Sequence, residues 1–172
     1  MKASSMLRLT GFLAAFSLAS ALFAAAPPPR AGSPTAAQTA GNLSQKASSL
    51  LAEVHQDAQG VVNSADTLGE YGREAFEIDW RADAGALDQM QGQINQIDQM
   101  VRQLRVMEEK LPQAQQAEIN QIAPAAAELT NTTQAAIDYL ANNQDRTVFP
   151  PFTSYADEMY VEAARIVHST TP

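Results

Sequence analysis

Three stretches of this chain repeat an apolar residue every three or four positions, and a pattern with that period can bury its apolar stripe only as packed α-helices. The clearest is Leu87, Met90, Ile94, Ile97, Val101, Leu104 and Leu111, one heptad seam interrupted only at Glu108, where Met107 stands one place back. A second runs through Ile119, Ile122, Ala126, Leu129, Thr133, Ala136 and Leu140. The third, Leu43, Ala47, Leu50, Val54, Val61, Leu68 and Ala75, holds a different register from the first. One continuous rod would need its apolar stripe to jump around the cylinder between Phe76 and Leu87. A turn near residues 79–83 is therefore expected, with Asp83 as the N-cap of the helix that follows.

Leu111-Pro112 separates the first two seams, because the residue before a proline avoids helical geometry and proline suits a first turn. Pro124 lies off its seam and is expected to bend its helix without ending it. A short last helix carries Ala156, Met159, Ala163 and Ile166 inward, opened by Ser154 with Asp157. Asn42 with Gln45 forms a candidate capping box for the first helix.

The expected fold is all-α: an antiparallel up-down-up-down four-helix bundle with helices near 43–79, 84–111, 113–142 and 155–168. The lengths are unequal. At 1.5 Å per residue the first helix would reach about 55 Å and the last only about 21 Å. One pole is then thin, and Leu43, Leu50 and Leu51 of the overhanging first helix are expected to be bare there.

Residues 1–26 have the form of an export signal: Lys2 and Arg8, then an apolar run from Gly11 to Ala26. Sixteen residues fall short of the ~20 that a membrane-spanning helix needs. Ala24-Ala25-Ala26 offers a cleavage site, although Pro27 follows it, and a retained N-terminal anchor is the alternative. Residues 27–41 (PPPRAGSPTAAQTAG) hold four prolines and two glycines and no large apolar side chain, and are expected to form a flexible linker. The bundle domain is then 42–172. A periplasmic or extracellular location is expected, with no membrane span in the mature chain.

The sequence has no cysteine, so an exported form cannot use disulfides. Its 11 Lys+Arg stand against 19 Asp+Glu; without Lys2 and Arg8 the balance is 9 against 19, a net of −10. That acidity argues against nucleic acid as a partner, since affinity there comes mainly from cations meeting phosphates.

No motif carries an obvious chemistry. Covalent haem needs Cys-x-x-Cys-His, and a bundle-held haem of the Met/His type needs a Met early in the first helix, which is absent. Di-iron bundles need Glu-x-x-His on two helices. Residue 52, three before His55, is alanine, and residue 165, three before His168, is arginine. No cofactor, metal or catalytic residue is assigned. Glu108-Glu109-Lys110 is expected to be a solvated helix end.

The aromatic residues give the bundle a polarity. After residue 26 they are Tyr71, Phe76, Trp80, Tyr139, Phe149, Phe152, Tyr155 and Tyr160, all near turns expected at one pole. Trp80, Phe149, Phe152 and Tyr155 are the candidate lining of a recess for an apolar ligand or partner, with Arg81 and Arg146 nearby. Ten glutamines between Gln89 and Gln121 give the middle hairpin an uncharged hydrogen-bonding face, suited to pairing with another helix. The functional expectation is an exported, non-catalytic bundle acting by protein–protein or self-association, as a homo-oligomer or with an envelope protein. The alternative is a small-ligand or sensory domain using the aromatic pole.

Overall fold

The computed structural model of the chain describes residues 36–74, 80–144 and 151–170. The described residues form four helices and no strand: α1 (Ala36–Glu74), α2 (Trp80–Met107), α3 (Gln113–Asn142) and α4 (Phe152–Ser169). A single 3-10 turn, Glu108–Lys110, follows α2. None of the described helices is long and apolar enough to cross a membrane. The export stretch 1–26, residues 75–79 between α1 and α2, and Arg146 with Phe149 lie outside the described residues, whereas residues 80–83 of the turn expected at 79–83 are helical.

The helices pack as a bundle. α1 lies against α2 and α4, α3 lies against the same two, and α1 and α3 also touch. The core is what the heptad spacing requires. Leu87, Met90, Ile94, Ile97, Val101, Leu104 and Leu111 are all buried, and so is the whole seam from Ile119 to Leu140. On α1 the buried stripe is Ala47, Leu51, Val54, Ala58, Val61, Ala65 and Leu68, an unbroken alternation of four- and three-residue steps. Ala58 and Ala65 fill the two places where the large-residue pattern has gaps. Thr133 is the polar member of the α3 seam. It is satisfied internally, its hydroxyl donating to Leu129 O at 2.7 Å and lying 3.2 Å from Met159 Sδ.

The ends of the helices differ from the sequence expectation in an instructive direction. α1 begins at Ala36, inside the segment read as linker, and Asn42 is an interior helical residue, not a cap. Residues 37–42 are exposed, so packing does not hold this extension. Ala36, Ala37, Gln38 and Ala40 are among the best helix formers, and propensity extends the helix past a usable capping box. α2 starts at Trp80 instead of residue 84, which moves Asp83 from the N-cap into the first turn, where it is 7% exposed. A carboxylate there still faces the positive end of the helix dipole. α4 starts at Phe152 behind Pro151, with no side-chain cap, and Ser154 is helical. Burying the Phe152 ring contributes more than a serine cap would.

Between α2 and α3 the chain behaves as the proline demands. Leu111 is extended (φ −92°, ψ 158°) and Pro112 precedes the first helical residue. Glu108 is not merely solvated. Arg105 donates to Glu108 Oε2 (2.9 Å) and to Asn120 Oδ1 (2.7 Å), and Asn120 Nδ2 donates to Glu108 Oε1 (2.8 Å). The three side chains close the hairpin on its outer face. Further along, α3 is continuous through the exposed Pro124.

The thin pole is corrected. Leu50 and Leu51 are 9% and 6% exposed, and Leu43 is half-buried against the core. They are neighbours 100° apart on α1, and both are covered because α1 is flanked on two sides there. Leu50 faces the α2 residues Met100 and Gln103, and Leu51 faces Gln115 and Glu118 of α3. The shortness of α4 does not uncover them.

Two glycines mark unused stability. A methyl group added at Gly85 or Gly92, both exposed on α2, would meet nothing within 4 Å. Gly85→Ala and Gly92→Ala are each expected to raise stability by about 0.8–1 kcal/mol, and the double variant by about their sum. Urea midpoints measure this; a decrease for either variant would mean that α2 is not helical there in solution.

Candidate functional site

Three of the candidate aromatic positions fall among the described residues. Phe152, the first residue of α4, is 2% exposed. Its ring stacks on Tyr139 from α3, with centroids 6.4 Å apart and planes 29° apart. Tyr155, one turn on, meets the same Tyr139 edge-on at 6.2 Å and 66°. Both geometries are within the favourable range for aromatic pairs. Trp80 opens α2, half-buried against the core, with the Arg81 guanidinium 4.7 Å from its ring centroid. Tyr139, Phe152 and Tyr155 thus form one packed cluster joining α3 to α4.

A second region contains three of the glutamines noted in the sequence, Gln96, Gln99 and Gln103. A groove of about 480 Å³ between α1 and α2 is lined by Leu50, Glu53, Gln56 and Asp57 on one side and Gln96, Gln99, Met100 and Gln103 on the other. The helical period creates it: positions 50, 53 and 57 share one flank of α1, and 96, 99, 100 and 103 share one flank of α2. Leu50 and Met100 give it an apolar floor. Its rim is amide and carboxylate.

Glu53 and Asp57 are one turn apart and have no cationic partner among the described residues. Burial, and secondarily the Glu53 carboxylate, raise the Asp57 pKa above its ordinary value. The folded state therefore binds this proton more tightly than the unfolded chain, and stability falls as pH rises through the interval between the two pKa values. Asp57→Asn is accordingly expected to stabilise the protein at neutral pH. That advantage should vanish below the ordinary carboxylate range of about pH 4. Urea midpoints of the two proteins at about pH 7 and pH 3 check it; an equal difference at both would assign the effect to something other than ionisation.

The histidines are placed apart. His55 Nδ1 lies 3.1 Å from Thr170 Oγ1, joining α1 to the end of α4, whereas His168 is exposed in the last turn of α4. Among the described residues no three His, Cys, Asp or Glu side chains converge as a metal site would require. Comparison with family models, curated proteins and solved structures gave no match.

A like-charged pair at i,i+4 on α1 opposite three glutamines on α2 is readable in the sequence only when the facing of the two helices is known. The His55–Thr170 contact is likewise invisible until the end of α4 is fixed.

Proposed function

We propose that this chain is an exported, non-catalytic helical bundle that acts by binding a basic segment of another protein. The observation that carries this reading is the α1–α2 groove, in which an apolar floor is bordered by uncharged amides and by a carboxylate pair lacking a cation. A helix laid along it would take hydrogen bonds from Gln56, Gln96, Gln99 and Gln103 and supply the missing positive charge. Self-association through this face would set Glu53 and Asp57 of one copy against those of another, and repulsion disfavours it.

An antiparallel up-down-up-down order belongs to the same proposal. It is supported by the places at which neighbouring helices meet, early residues against late ones for α2 with α3 and for α4 with α1, and middle against middle for α1 with α2. Ala84 and Leu87 line a cleft with Ile137 and Leu140, Gly60 sits against Gln93, and Ala65 and Asp66 meet Asp157 and Tyr160. Export to the periplasm or beyond rests on Lys2, Arg8 and the apolar run that ends at Ala26.

Affinity purification from the protein's own source, followed by native mass spectrometry, tests the reading. A co-purifying basic protein, lost on Gln99→Arg substitution with the fold intact, supports it. A partner retained equally by Gln99→Arg and Asp57→Lys variants would place binding elsewhere.

A further inference from the structure

On the other flank of α1, Ser48, Leu51, Ala52 and His55 face Gln115 and Glu118 of α3 across a notch of about 430 Å³, and Thr170 at the end of α4 closes it. The hydrogen-bond accounting there is one-sided. The Thr170 hydroxyl lies within hydrogen-bond distance of Ile166 O (2.8 Å), Val167 O (3.3 Å) and His55 Nδ1 (3.1 Å). Gln115 Nε2 faces Ser44 O at 3.0 Å and Ser48 Oγ at 2.9 Å, which uses both amide protons. A carbonyl oxygen cannot donate, so the amide orientation is fixed chemically. Gln115 Oε1 receives the Ser44 hydroxyl at 3.1 Å and keeps a second lone pair. Glu118 has no hydrogen-bond or ion-pair partner among the described residues.

What the notch offers is therefore mainly acceptors: the two oxygens of the Glu118 carboxylate and one lone pair of Gln115. The Ser48 hydroxyl accepts from Gln115 and keeps its own proton. The last-turn carbonyls of α4 place the negative end of that helix dipole on the same space, and Leu51 and Ala52 provide an apolar wall. We infer that this notch is a binding site for a primary alkylammonium group, whose three N–H donors match those acceptors and whose carbon stem lies on Leu51 and Ala52. A free amine and a lysine side chain carry the same head. The site is separate from the α1–α2 groove, and its test does not depend on any partner being found there.

Titration of the ¹⁵N-labelled full chain with n-butylammonium, n-butanol and butyrate decides it. Butylammonium is expected to shift the amide signals of Ser48, His55 and Glu118 in a saturable way, and the neutral and anionic analogues are expected not to. Glu118→Gln keeps the size of the side chain and is expected to weaken binding about tenfold or more, as the loss of a charge-assisted hydrogen bond would. Thermal melts of the variant check that the fold is kept. Nα-acetyl-lysine amide in place of butylammonium distinguishes the source: tighter binding assigns the site to lysine of a polypeptide, equal or weaker binding to a free amine. Equal responses to butanol and butylammonium, or a folded Glu118→Gln variant with unchanged affinity, would overturn the assignment.

Discussion

Phe152→Ala is expected to destabilise the bundle by about 3–5 kcal/mol, the loss seen when a fully buried aromatic ring is removed and the cavity closes only partly. Phe152 is the first residue of α4 and 2% exposed, and its ring is the face on which Tyr139 stacks. Its removal therefore leaves Tyr139 with one ring contact in place of two and frees the start of a helix that has no side-chain cap. A melting temperature lowered by roughly 10–15 °C would accompany that loss in a domain of this size. Phe152→Leu retains most of the volume and should cost about 1.5 kcal/mol or less. A loss below 1 kcal/mol for the alanine variant would show that the ring does not anchor α4.

The second large effect is at Leu50. An aspartate there would lose the burial of a leucine, about 2–5 kcal/mol even for alanine, and would add a third carboxylate beside Glu53 and Asp57 on one flank of α1. The expected loss at neutral pH exceeds about 3 kcal/mol, enough to unfold a bundle of ordinary stability in part. The charge component is separable. Leu50→Asn removes the same apolar volume without ionising, so it should be less damaging at about pH 7 and similar to Leu50→Asp near pH 3. Chemical denaturation at the two values measures both. A Leu50→Asp protein as stable as the parent would place Leu50 on an open surface, contrary to its 9% exposure.

That residue also shows what the sequence could and could not convey. The α2 and α3 seams were legible because a strict three-four alternation admits one buried face, and every member of both is in the core. The burial of Leu50 and Leu51 does not follow from helix lengths, because α4 is a neighbour on only one side of α1. Leu50 lies beside α2, Leu51 beside α3 and the end of α4, and adjacency between helices is a tertiary property that periodicity does not encode. Helix starts failed for a related reason. Asn42, Asp83 and Ser154 are good caps, yet Ala/Gln propensity extends α1 beyond the first of these, and α2 and α4 begin instead at the rings of Trp80 and Phe152. At the site level, the aromatic residues of α3 and α4 were visible as a group. The groove and the notch were not, since each is assembled from short arcs of different helices.

Trp80 is the sole indole of the chain, and the guanidinium of Arg81 rests over it. The start of α2 shares a cleft with the end of α3, beside the Tyr139 cluster, while Thr170 terminates α4 about 27 Å farther along its 18 residues. Nature has thus supplied a single fluorophore at one extremity. Its emission will register changes at the start of α2 and stay silent to occupancy near His55, giving an internal control that requires no label.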